Sequence, residues 1–414
     1  MSGLIIEIMK ANEVSFLIAI AAFVIGCSSD KQIKDGLPCI NVKKNYPVKE
    51  IILTDIADVT YVHLSTENAD YLYRGRINYV TENTIVVIDY TSGSILFFSK
   101  DGKPKSRFNR YGNGPEEYST MMFFIVYDES ADDVFVYIPF TFSISGHSIL
   151  VYSSTGEYKR KLPLSASALP LVDFDSQSLF LYSLQNQSRK MRKETDFFSQ
   201  SVDSSYYRIS KTDGKVLEYV EFPGNAIDLT DRGGSDRRIE GHIRIVNCTA
   251  GLFLCNPETD TVFLYGKDKT LTPIICKTPL VSDLNPKVIL NDFVDAGRYQ
   301  FIGVSTLFNS DDEIMKIPLN ERYDYLNKHY IYDKQTGKIF RQKISVSDYK
   351  GKDFFITAQK THFNGKKMLA HFELDLFELK QASRENKLSG KLKELVATLN
   401  ENEDNNVFML VNFK

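Results

Sequence analysis

The residues from Arg110 to Tyr118 carry the strongest local chemical signal in the chain. Gly112, Gly114 and Pro115 impose a fixed backbone path there, because glycine takes conformations other residues avoid and proline fixes φ. On that path Glu116 and Glu117 are expected to face a central channel, with Arg110 as their counter-charge and Tyr118 closing the segment. Two readings stand: a ligand contact at a channel mouth, or a structural crossover whose charges pair locally.

Other chemistries leave fainter marks. Six histidines occur, His63, His147, His242, His329, His362 and His371, with neither a His-x3-His spacing nor a His-Glu-x-x-His. A metal site would have to be assembled from distant segments, and no metal or other cofactor is expected. Acidic runs at 128–133 and 311–313 offer oxygens of the kind Ca2+ takes, but neither has the spacing of an EF-hand loop. Both lie between apolar runs, where solvated turns are the ordinary use. No Gly-x-Ser-x-Gly occurs. The acids after Gly112-Asn113-Gly114 would repel a phosphate. Tyr71, Tyr73, Tyr79, Tyr111 and Tyr118 could stack on sugars, or simply pack. A catalytic triad would be defined by geometry rather than order, so an enzyme, a lyase or hydrolase at the channel mouth, remains the alternative to a binding protein. A scaffold subunit is a third reading. The net charge of −3 and pI near 6.1 exclude the basic face that nucleic-acid binding needs.

The elements that must position these residues repeat. Ile85–Asp89, a turn, and Ile95–Phe98 form a pair of apolar runs, and similar pairs start near Val134, Leu179, Leu252, Phe301 and Phe354, at steps of 49, 45, 73, 49 and 53 residues. Self-similarity at that period marks stacked supersecondary units. A turn such as Lys100-Asp101-Gly102-Lys103 follows each of several pairs, and a further apolar stretch comes after it, giving about four strands per unit. The expected fold is all-β: a six-bladed β-propeller of four-stranded blades, over residues 48–414. Its first strand is expected at Val59–Leu64. Leu388, Leu392, Leu395, Val396 and Leu399 predict a short amphipathic helix. The last apolar run, Val407–Phe413, is expected to close the ring with chain from about residues 50–75. The polar stretches 186–205 and 228–238 read as long surface loops.

Residues 1–27 read as a targeting segment. Val14–Ile25 is an apolar run of 12 residues broken only by Ser15, short of the about 20 needed to span a bilayer. It ends in Val24-Ile25-Gly26-Cys27, which resembles a bacterial lipobox with Cys27 as the lipidated residue. Residues 28–47 are then a polar tether from the membrane. Four cysteines remain, Cys39, Cys248, Cys255 and Cys276. Cys248 and Cys255 flank a turn and could pair, but buried free thiols are the expected state of that pair.

The stretch from Ile85 to Tyr118 resembles an NHL-type propeller repeat: apolar strand, Asp, turn, apolar strand, Asp-Gly-Lys, then Gly-x-Gly-Pro. The other blades lack the last element. The whole chain is similar to the six-bladed β-propeller lipoproteins of gut Bacteroidetes (NHL-like or TolB-like propellers), through the lipobox, the Arg110–Tyr118 segment and the Asn-rich turn before the last strand. That resemblance implies a lipid-anchored protein of the cell envelope, at the outer membrane or periplasmic face. Its expected partner is a glycan, a peptide or an envelope protein, bound at the channel mouth and loops.

Overall fold

A computed structural model describes residues 33–34, 36–66, 69–119, 124–138, 148–164, 168–183, 206–223, 243–308, 314–363, 365–401 and 403–414. Cys27, His147, His242, the acidic run 311–313 and both polar stretches, 186–205 and 228–238, lie outside them. Blade one is Gly75–Val80, Thr84–Asp89, Ile95–Ser99 and Pro104–Phe108, each strand antiparallel to the next. Blade two runs Phe124–Asp128, Asp133–Tyr137, Ser148–Tyr152 and Tyr158–Pro163. Blade three runs Ala168–Asp173, Ser178–Ser183, Tyr206–Ser210 and Val216–Val220. Blade four runs Arg244–Cys248, Gly251–Cys255, Thr261–Gly266 and Leu271–Thr278, and blade five Lys287–Ala296, Tyr299–Leu307, Asn327–Asp333 and Lys338–Val346. Blade six takes Thr361–Phe363 and Met368–Leu374, then Val407–Phe413, then Ala57–His63. The first strand of each blade packs against first strands of other blades, so these six surround a common axis. The fold is a six-bladed β-propeller.

The burial of the strands explains which of them the sequence reveals. All six residues of Thr84–Asp89 are buried, and all five of Asp133–Tyr137. A middle strand has a neighbouring blade against each face, so it reads as an unbroken apolar run. Val86, Ile88 and Phe97 pack toward Tyr127 and Val134 of blade two. Ile85, Val87 and Phe98 pack the other way, toward Leu369, Phe408 and Leu410 of blade six. Outer strands such as Pro104–Phe108 alternate between half-buried and exposed positions, the signature of a one-sided surface strand. The turn glycines let blades meet closely. Gly102 has φ of 86°, and a Cβ there would lie 2.0 Å from the carbonyl oxygen of His63 in blade six.

The closing strand pairs as expected, Val407 opposite His63 through Phe413 opposite Ala57. The expected helix is present as Gly390–Thr398, preceded by a second helix, Leu376–Arg384.

The chain before residue 57 departs from expectation. Leu37–Asn41 is not tether. It runs parallel to Leu271–Thr278 on the edge of blade four, with a buried disulfide joining Cys39 to Cys276. Val48–Ile52 runs parallel to Lys338–Val346 of blade five. Lys49 reaches into that blade to bond the buried Asp333, which also takes two hydrogen bonds from Arg298. These strands are only five residues long and are flanked by polar and charged residues, so the segment resembles a linker, but the outer edge of a blade offers them a ladder of free backbone groups. Cys248 and Cys255 are free thiols. The sixth apolar pair also lies later than expected: Phe354 ends Tyr349–Phe354, an extra strand on blade five.

Candidate functional site

The Arg110–Tyr118 segment folds on itself. Tyr118 is buried, and its hydroxyl donates to the Gly93 carbonyl at 2.8 Å while accepting from the Arg110 backbone N–H at 2.9 Å. Glu117 turns back into its own loop and accepts from the Gly114 N–H at 2.8 Å. Its carboxylate lies 2.0 Å from where a Cβ on Gly112 would sit, which is why that position has no side chain. Arg110 does not pair with the glutamates; its Nε donates to the Gly156 carbonyl in blade two at 2.8 Å. Glu116 and Pro115 are exposed. The segment therefore latches blade one to blade two, and Glu116 is the acid it leaves facing solvent.

A polar cluster that no local motif announces lies where first strands end. Lys211 follows the third strand of blade three, and its buried ammonium meets Asp128 at 2.6 Å and Asp173 at 2.8 Å, at the ends of the first strands of blades two and three. Burial pushes Asp173 up to about 6 against the pull of Lys211. Burial also raises Asp128, but bonds from Lys211 and Ser130 bring it below the usual carboxylate range. Tyr79, on the first strand of blade one, has its hydroxyl pushed well up by burial and by Asp173 and Asp128. Its ring meets the His362 ring edge-on at 5.7 Å, and His362 stacks on His371 at 5.0 Å. Burial holds His362 down at about 4 and His371 well below its ordinary value, with the cations Lys360, Lys100 and Arg76 acting in the same direction on His371. Both rings are therefore neutral at pH 7.

The sequence did hold a signal for this cluster. A lysine comes directly after the third strand in four blades, as Lys100, Lys211, Lys267 and Lys334. A spacing search within one segment cannot see it, because the partners arrive from other blades.

Two further groups sit nearer the opposite end, where first strands begin. Asp292 is buried and accepts from the Ala358 N–H at 2.7 Å; burial pushes it up to about 6, with Arg244 pulling the other way. The helix Leu319–Leu326 belongs to the connection between the second and third strands of blade five. It leaves Leu319 79%, Tyr323 51% and Tyr325 54% exposed, with Met315 just before it at 67%. Tyr323 lies over His329 at 6.2 Å, His329 lies 4.6 Å from Phe355, and Tyr325 stacks on Phe308 at 5.9 Å. The result is a shelf of exposed large apolar side chains whose two tyrosines rest against other aromatic rings. Among the described residues no group of three or more His, Cys, Asp or Glu is arranged to hold a metal ion.

A family model described as a 6-bladed beta-propeller matches residues 28–218. Among solved structures, the propeller is similar to a Bacteroides fragilis protein described as exported, at 16% identity and a TM-score of 0.55, over 89% of this chain and 99% of that one. At that identity the likeness shows the fold. Virginiamycin B lyase from Staphylococcus aureus aligns over 86% of this propeller and 99% of its own chain, at 9% identity and a TM-score of 0.37. No curated protein matches the chain.

Proposed function

We propose that this chain is a lipid-anchored, extracytoplasmic binding propeller that takes a glycan, peptide or envelope-protein partner on the face where the second-to-third-strand connections emerge. The observation that carries the reading is the shelf of Leu319, Tyr323, Tyr325 and Met315. Exposed aromatic and methionine side chains are what recognition surfaces enrich, and large exposed apolar groups on one short helix and the chain just before it call for a partner. The extracytoplasmic location is supported by the Cys39–Cys276 disulfide, since such bonds persist in oxidising compartments, and by the exported relative of similar fold. The lipid anchor rests on the Val24–Cys27 sequence.

The test is a thermal-shift screen of the full chain against glycans and envelope peptides. A ligand at about 100 times its dissociation constant adds about 2.7 kcal/mol. A shift that Tyr323→Ala and Tyr325→Ala abolish supports the reading; a ligand whose shift both variants retain moves the site away from the shelf. Fatty-acid labelling in cells, lost in Cys27→Ser, tests the anchor separately.

A further inference from the structure

The blades repeat one device, and blade one leaves it incomplete. The lysine after the third strand is placed by the backbone: Lys211, Lys267 and Lys334 each donate their N–H to the turn between the first and second strands of their own blade, at 2.9, 3.0 and 3.0 Å. From there Lys211 reaches Asp128 and Asp173, and Lys334 reaches Asp295 at 2.9 Å. Asp128 and Asp173 end the first strands of their blades and Asp295 is the next-to-last residue of its own, so in blades three and five this position delivers a cation to a carboxylate near the channel.

Lys100 is the residue at the same position of blade one, directly after Ile95–Ser99. Its ammonium is buried and makes no hydrogen bond among the described residues. Where Lys211 meets two aspartates, Lys100 acts on His362 and His371 of blade six. His362 Nε2 and His371 Nδ1 are likewise buried without a partner, and His371 is only 7% exposed. Lys360 and Arg76 also act on His371 with positive charge. Glu129 acts on Lys100 from a distance, but it is engaged by Thr81, Thr84, Asn83 and Lys105. Asp128 and Asp173 lie beyond Tyr79 and are held by Lys211. A buried cation with no partner is costly, and three such polar groups brought together from two blades have the composition of an anion cradle.

We propose that Lys100, His362 and His371, where blades six and one meet, form a binding site for a small oxyanion, the carboxylate or phosphate group of a ligand. Lys100 supplies the charge and the two imidazoles supply N–H donors. The anion takes the place that Asp128 and Asp173 hold around Lys211. This site is separate from the shelf, so its failure leaves the binding reading standing.

The test titrates the full chain, with histidine labelled at Cε1, with sodium acetate and with sodium phosphate at constant ionic strength. His362→Gln and His371→Gln assign the two signals. Saturable movement of both with either anion is expected, and the anion that produces it names the ligand group. Lys100→Met is expected to weaken that binding about 10- to 100-fold, the contribution of one charge-assisted hydrogen bond. Lys100→Arg is expected to keep it and guards against a folding defect. Failure of both anions to give saturable movement, or equal binding by Lys100→Met, overturns the proposal.

Discussion

Cys39 and Cys276 are register partners on two parallel strands, with Cα atoms 4.5 Å apart and a sequence separation of 237. The bond fastens the N-terminal segment to the outside of blade four, where only a short run of backbone pairing holds it otherwise. Closing so long a loop removes entropy from the unfolded chain, about 5 kcal/mol in the simple chain model. Reductant is therefore expected to lower the melting temperature of the wild type by several degrees. Cys276→Ser is expected to melt where the reduced wild type does, with no further response to reductant. A wild-type melt that ignores reductant would refute the assigned role.

One buried aspartate and one half-buried one give the propeller a pH dependence opposite to the usual one for carboxylates. Asp292 and Asp173 both titrate at about 6 in the fold, raised by burial, against about 3.9 when unfolded. The folded state keeps a proton that the unfolded chain releases. Each group's contribution is thus fully present below about pH 4 and is lost as pH rises through about 6, by roughly 3 kcal/mol at most. Asp292→Asn keeps an acceptor for the Ala358 N–H without the charge. Its stability, measured in urea from pH 4 to 8, is expected to fall less steeply than that of the wild type and to exceed it at pH 8. Parallel curves would show that Asp292 is not the group responsible.

What could be read from the sequence follows from which strands are buried on both faces. Thr84–Asp89 and Ile95–Ser99 announce themselves as apolar runs because blades cover both sides. The closing strand Val407–Phe413 is legible for the same reason. Leu37–Asn41 and Val48–Ile52 are not, since an edge strand paired through its backbone needs no apolar pattern. The turn at Gly112–Tyr118 was visible, but its chemistry was ambiguous until Glu117 was seen bonded to Gly114. Of the lysine, histidine and aspartate cluster, only the lysine recurring after third strands is legible, and its partners are not. Lys211 finds Asp128 across 83 residues, and His362 finds Tyr79 from the other end of the chain, so no local spacing records either meeting.

The two glutamates of the Arg110–Tyr118 segment separate cleanly by experiment. Glu117→Ala removes the acceptor for the Gly114 N–H and is expected to cost about 1 kcal/mol, seen as a lower urea midpoint. Glu116 is exposed, so Glu116→Ala is expected to change stability by less than about 0.5 kcal/mol. If the segment contacts a ligand, Glu116→Ala weakens binding while the fold is untouched. A stability loss in Glu116→Ala equal to that in Glu117→Ala would contradict the geometry.

Ring closure depends on one amide. Asn405 is buried just before the closing strand; its Nδ2 donates to the carbonyls of Leu64 and Tyr71, both at 3.0 Å, and its Oδ1 accepts from the Tyr73 N–H at 3.3 Å. It thereby ties the C-terminal turn to the chain that leads from blade six into blade one. Asn405→Ala takes this partner from three backbone groups, the buried Leu64 carbonyl and the half-buried Tyr71 carbonyl and Tyr73 N–H, an expected loss of about 2 kcal/mol. Asn405→Asp keeps the acceptor and loses both donors, so it is expected to be at least as damaging as a simple loss of two bonds. Because a propeller opens at its seam, amide exchange should rise first in Val407–Phe413 and Ala57–His63, before blades two to four. Exchange that rises evenly around the ring would mean that Asn405 contributes to general stability and does not hold the closure.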